Sequence, residues 1–323
     1  MMNRFITSAF FLVAGYHLAL AQTEEPIHYK ITAPAGADLT LDGTLTVPDN
    51  QNKAVPVVLL IAGSGPTDRD CNSTYGFKSN AFKMLADSLV RQGIAVARYD
   101  KRYSGTNLKA AVAAIGTEKH RFNYYVSDAV GFIEQLQADK RFSKVIVAGH
   151  SEGSLVGMLA ARQTKAAKYI SIAGPGRNIA DVMKVQFQTA LPDTLRSLAT
   201  VILDSLKEGY PVQRVNPFLQ TMFNAKMQPG LISWMKYDPA VEIKKYVGPV
   251  LLINGKHDIQ VATSEAELLK AARPDATLVL IDRMNHVLKN APIDRAANIE
   301  TYNQPHLPLT PGLVETIAQF VKK

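Results

Sequence analysis

The chain has 323 residues, of which 47% are hydrophobic, one cysteine (Cys71) and a formal charge of +8. That is enough apolar chain for one large domain with a full core, and too much for a disordered polymer. A single cysteine excludes an internal disulfide. The positive charge contains no run of five like residues, so it reads as a solvated surface with weak attraction to anionic polymers and no nucleic-acid motif.

In chain order, residues 1–21 carry Arg4, then a mostly apolar stretch ending in Ala19-Leu20-Ala21, a small-x-small cleavage pattern. This predicts a secretory signal peptide and an exported product, periplasmic or secreted. A membrane anchor is disfavoured because Gly15, Tyr16 and His17 interrupt a short apolar core. No cysteine follows to accept a lipid, and no later stretch is long and apolar enough to span a bilayer, so no stable membrane insertion is expected.

Residues 27–32 and 39–47 alternate apolar and polar and predict an antiparallel pair at a sheet edge. Continuous apolar runs follow at 55–62, 94–99, 144–148, 169–173, 250–254 and 277–281. Strands apolar on both faces belong inside a parallel sheet. Helical spacing appears at 80–92 (ended by Gly93), 124–138, 154–162 and 264–272. A closing helix is expected at 311–321, with Thr310 as N-cap and Pro311 at the first helical position. Strand and helix alternate, so the class is α/β with helices on both faces of a mostly parallel sheet. Residues 175–248 break the alternation. They hold helical patches at 179–190, 194–208 and 216–226 and the only tryptophan, Trp234. The stretch is too long for a structureless loop and is expected to be a helical lid. It is inserted in a core of residues 22–174 and 249–323.

One short pattern carries chemistry. Gly149-His150-Ser151-Glu152-Gly153 has the form Gly-x-Ser-x-Gly. The form alone is weak, but here a strand precedes it and a helix follows. That context puts Ser151 on a strained strand-to-helix turn, exposed as a nucleophile. The glycines let the turn be tight, since side chains there would collide with the neighbouring strand and helix.

A serine hydroxyl needs a base near neutral pH, and the base needs an orienting acid. With this turn the chain order is serine, acid, histidine. His286 and His306 follow the serine in suitable places; His286 is preferred because it comes just after the 277–281 strand. Asp258, four residues past the 250–254 strand, is the expected acid, with Asp282 its rival. The oxyanion formed in acyl transfer needs backbone N–H donors. Glu152 supplies one, and Ser64 in the Gly63-Ser64-Gly65 loop the other, with Gly65 as fallback. The Glu152 side chain should point away from the histidine, as a pocket wall or helix N-terminal residue. The stretch Asp68 to Asn72 mimics the start of a calcium loop but fails at Ser73 and Ser79. Hydrogen bonds that tie down the oxyanion loop are the better reading. No zinc pattern, phosphate loop or dinucleotide fingerprint is present, so neither metal nor cofactor is expected.

The segments IAGSGPTDRD (61–70), ARYDKR (97–102), GHSEG (149–153), INGKHDIQV (253–261) and MNHVLK (284–289) together resemble exported bacterial α/β-hydrolases of the serine esterase and aminopeptidase-like group. The resemblance implies the α/β-hydrolase fold and the triad Ser151, Asp258, His286. Cys71 and Tyr103 stand where such sequences commonly carry glycine, which bears on the pocket. The expected activity is hydrolysis of a small-molecule carboxylic ester, with a short acyl group, through an acyl-enzyme. The alternatives are a serine peptidase acting on small peptides and a non-catalytic binding protein on a hydrolase scaffold. Trp234 and Phe218 are the lid residues expected to shape a pocket. The oligomeric state stays open.

Overall fold

A computed structural model of the protein describes residues 22–32, 38–49, 53–73 and 76–323. The expected leader, residues 1–21, lies outside them. Eight strands form one sheet: β1 (Gln22–Thr32), β2 (Asp38–Pro48), β3 (Val55–Ile61), β4 (Ala95–Tyr99), β5 (Phe142–His150), β6 (Lys168–Ile172), β7 (Val250–Gly255) and β8 (Thr277–Ile281), in the order β1-β2-β4-β3-β5-β6-β7-β8. The β1–β2 and β2–β4 pairs are antiparallel and all the others parallel.

The helices are α1 (Ala81–Val90), α2 (Leu108–Ile115), α3 (Phe122–Ala138), α4 (Glu152–Thr164), α5 (Ile179–Ala190), α6 (Asp193–Lys207), α7 (Gln220–Phe223), α8 (Gln228–Met235), α9 (Pro239–Glu242), α10 (Thr263–Ala272), α11 (Arg295–Glu300) and α12 (Leu313–Lys322). The period-two geometry of β3 splits its apolar run between two cores. Val57, Leu59 and Ile61 pack with Phe132 of α3 and Val156 of α4. Val58 and Leu60 pack with Phe82 of α1 and Ile317 of α12. Each fully buried aliphatic or aromatic side chain contributes roughly 1.5–3 kcal/mol, so both layers are strongly held. The helices between β6 and β7 have a core of their own, built around Phe187, Leu203, Leu206 and Phe223.

Three local expectations change. The closing helix begins at Leu313 with Gly312, not Thr310, as N-cap. Gly312 takes φ 88, a left-handed conformation glycine adopts freely, and its N–H donates to Glu315 Oε2 at 3.1 Å. Thr310 is buried instead, its hydroxyl donating to Leu288 O at 3.3 Å. The patch at 216–226 is split into a 3-10 turn, Pro217–Leu219, and the short α7, while the helix that carries Trp234 comes later, as α8. Finally, α2 follows a 3-10 turn at Gly105–Asn107 where no helix was expected.

Candidate active site

Ser151 sits between β5, a central strand, and α4. Its φ is 55° and its ψ −122°. That left-handed backbone costs a non-glycine residue on the order of 1–3 kcal/mol and persists only where the surroundings impose it. They do so here. A Cβ on Gly149 would lie 2.0 Å from Gly153 O, and one on Gly153 would lie 2.3 Å from Ile61 O. The Ser151 N–H donates to Ile172 O of β6 at 3.0 Å.

The loop after β7 brings in Asp258. Its Oδ1 accepts from the N–H groups of Gln260 at 2.8 Å and Val261 at 2.9 Å, which leaves Oδ2 for His286. His286, in the loop after β8, places Nδ1 2.8 Å from that Oδ2. Both side chains are almost inaccessible, at 6% for His286 and 0% for Asp258. A carboxylate only accepts, so Nδ1 carries the proton and Nε2 is left with its lone pair. Asn285, next to His286, donates to Asn298 Oδ1 at 3.1 Å and Thr301 Oγ1 at 2.7 Å, which pins the loop. Ser151 and His286 border one cleft of about 330 Å3. Of the rivals, Asp282 is exposed and paired with Lys256 at 2.7 Å. His306 borders a separate groove between α1 and α12.

His150 underlies this arrangement. Its ring lies 4.6 Å from that of His286, and its Nε2 meets His286 O at 2.8 Å. A carbonyl cannot donate, so Nε2 holds the proton and Nδ1 is bare. Burial, then the neighbouring His286, pushes the His150 pKa down to about 3, so the ring stays neutral.

On the other side of Ser151 lies the Gly63-Ser64-Gly65 loop. A Cβ on Gly63 would sit 3.0 Å from Ser151 Cβ, so glycine lets this backbone approach the serine. The N–H groups of the first turn of α4, Glu152 first among them, bring the positive end of the helix to the same place. The loop is tied from behind. Asp68 Oδ1 accepts from Asp70 N at 2.9 Å and Asn72 N at 2.8 Å. Arg69 pairs with Asp100 at 2.7 Å. Arg98 joins Asp70 at 2.7 Å and Glu24 of β1 at 2.8 Å.

Sequence reasoning missed Lys101. Its Nζ donates to Glu152 Oε1 at 2.6 Å and to Gly63 O at 2.6 Å, beneath both expected oxyanion donors. The Glu152 carboxylate is buried in this pair. A lysine in an Asp-Lys-Arg run reads as solvated; the one available signal was its place in a segment shared with the resembling sequences. Cys71 has φ 70, a left-handed conformation that favours glycine. Its thiol is buried and its pKa pushed up to about 12, by desolvation first and then by Asp68. Trp234 and Ile179 border a second, smaller cavity at Ser151, whereas Phe218 is 81% exposed and borders neither cavity. Among the described residues no cluster of His, Cys, Asp and Glu is placed to hold a metal, and no helix is long and apolar enough to cross a membrane.

A serine at a strained turn on a central parallel strand, with an Asp-paired histidine on the same cleft, defines an α/β-hydrolase. The chain belongs to the serine aminopeptidase S33 family, which it matches over residues 74–292. It is 29% identical over 272 residues to the esterase EstD of Thermotoga maritima, covering 79% of this chain; it spans 60% of that relative's length. Among solved structures it resembles Est1E from Butyrivibrio proteoclasticus bound to ferulic acid, with a TM-score of 0.57 and 16% identity over 88% of this chain and 93% of that one. It also resembles a puromycin-hydrolyzing peptidase of Mycobacterium tuberculosis, with a TM-score of 0.52 and 18% identity over 84% of this chain and 37% of that one. Neighbours this distant in sequence speak for the fold, and the mostly parallel sheet expected from the apolar runs is borne out.

Proposed function

We propose that the protein is a serine carboxylesterase with Ser151, His286 and Asp258 as its catalytic triad. The observation that carries the reading is the buried His286–Asp258 pair at 2.8 Å on the cleft that Ser151 borders. His286 Nε2 takes the Ser151 hydroxyl proton as Oγ attacks the ester carbonyl. Asp258 holds the imidazole in the Nδ1–H tautomer and stabilises its charged form. The N–H groups of Ser64 and Glu152 receive the oxyanion. His286 then protonates the departing alcohol, and water, activated by the same nitrogen, releases the acid. The EstD relationship supports ester chemistry. Helices α5 to α9 serve as the lid, a reading supported by Trp234 and Ile179 beside Ser151. The leader pattern at residues 1–21 supports export.

The family name raises the peptidase reading. An aminopeptidase needs a carboxylate to grip a free amino terminus. Glu152 is committed to Lys101, and no Asp or Glu borders the larger cleft among the described residues. That favours esters.

The test is turnover of p-nitrophenyl acetate and of aminoacyl p-nitroanilides by the purified protein and by Ser151→Ala. Ester turnover lost in the variant is expected. Anilide turnover without ester preference would establish the peptidase. A protein that turns over neither and resists fluorophosphonate labelling at Ser151 would be a binding protein on a hydrolase scaffold.

A further inference from the structure

Among the described residues, Ser151 is the one shared by two cavities of very different size. The larger, about 330 Å3, is bordered by His286, Phe77, Gln260 and Tyr302. The smaller, about 10 Å3, is bordered by Leu155, Pro175, Ile179 and Trp234, and by Glu152, whose carboxylate is paired with Lys101. A cavity of that size holds about one water-sized or methyl-sized group.

The small one is firmly built. Trp234 stacks on Phe122 with centroids 5.5 Å apart and planes 5° from parallel. The loop of Pro175 and Arg177 is clamped by Glu265 Oε2, which accepts from Gly176 N at 2.9 Å and Arg177 N at 3.2 Å. Arg177, which also borders this cavity, has its guanidinium charge matched by Glu265 Oε1 at 2.7 Å. The large cavity has no Lys, Arg, Asp or Glu on its border among the described residues.

The chemistry decides which part of an ester goes where. In the tetrahedral intermediate the former carbonyl carbon carries Ser151 Oγ, the oxyanion, the acyl substituent and the alcohol oxygen. On collapse the bond to the alcohol oxygen breaks, and that oxygen takes the proton from His286 Nε2. The alcohol therefore lies on the side that His286 borders, and the acyl substituent faces the other way. We infer that the protein selects its substrates by side: an acetyl-sized acyl group in the small cavity and a bulky, uncharged alcohol in the large one. The inference rests on the serine esterase reading and adds to it the division of the substrate.

Octyl acetate and ethyl octanoate are isomers with the long chain on opposite sides of the ester, so their comparison isolates the assignment. Octyl acetate is expected to exceed ethyl octanoate in kcat/KM by about 100-fold or more, because even one misplaced methylene is worth roughly 10-fold. Equal rates, or the reverse order, would overturn the assignment. So would failure of both isomers while p-nitrophenyl acetate is cleaved. Failure of all three esters would instead reject the esterase reading itself. Ile179→Ala and Trp234→Ala each widen the small cavity, and each is expected to raise ethyl octanoate relative to octyl acetate by about 10-fold. Two folded variants with the parent's ratio would remove the small cavity from acyl recognition. Acetylcholine and its neutral counterpart 3,3-dimethylbutyl acetate test the charge preference, and preference for the cation would overturn that part.

Discussion

Lys101 Nζ stands 2.6 Å from Glu152 Oε1 and 2.6 Å from Gly63 O, with the lysine side chain 1% exposed. The Gly63 carbonyl and the Ser64 N–H belong to one planar peptide group, so holding the oxygen aims the hydrogen. Glu152 anchors the same ammonium from the helix whose first N–H is the other proposed donor. The double variant Lys101→Met/Glu152→Gln removes both charges and leaves no buried ion unpaired. It is expected to lower kcat about 10–100-fold while KM changes little, since an aimed oxyanion donor acts in the transition state. Equal losses in kcat and affinity would mean that the pair only supports the pocket.

Asp258→Asn separates charge from shape. Asparagine Oδ1 still accepts from Gln260 and Val261, so the loop keeps its geometry. Its amide then faces His286 Nδ1 as a donor, which forces the proton to Nε2 and removes the base. Turnover of p-nitrophenyl acetate should fall by about 10^4-fold with the fold intact. A loss below tenfold would show that His286 does not depend on Asp258.

The apolar runs and the Gly-x-Ser-x-Gly context were enough to read the sheet and the position of the turn, because both follow from local pattern. What stayed hidden depends on distant partners. Lys101 is buried only because Glu152 and Gly63 meet it across the fold. The helix Leu108–Ile115 is short and begins at an irregular turn, so its apolar spacing has little length in which to show. Gly312 displaced Thr310 as a cap because Thr310 is drawn to the Leu288 carbonyl, a contact no local pattern announces.

The Cys71 thiol should be silent toward dithiobis(nitrobenzoate) at pH 8 in the native protein and react promptly in denaturant. Its burial and raised pKa deny the thiolate that attacks. Cys71→Gly should leave stability within about 1 kcal/mol, as relief of the left-handed backbone (~1–2 kcal/mol) offsets the lost buried side chain (~1 kcal/mol). Fast native labelling would contradict the buried placement.

His120 sets an acid limit on stability. It packs against the rings of Tyr103 and Tyr125, and Lys101, Arg102 and Arg121 stand near it. Burial, then those cations, push its pKa down to about 4, below the ~6.5 of an unfolded chain. Between those values the unfolded chain holds more protons, so the stability His120 contributes is full above pH ~6.5 and is lost as pH falls toward 4. His120→Phe should flatten this part of a melting temperature against pH curve. An unchanged slope would assign the acid sensitivity elsewhere.

The residues proposed for catalysis come from the ends of three strands, and the last of them follows β8, the last strand in chain order among the described residues. A chain made only as far as β7 and the Asp258 loop cannot assemble the site, since Asp258 then has no histidine to hold. Under the proposed triad, turnover would report that the chain has folded through the loop after β8. A chain halted or clipped before β8 would lack His286 and is expected to be inert toward p-nitrophenyl acetate wherever it was made.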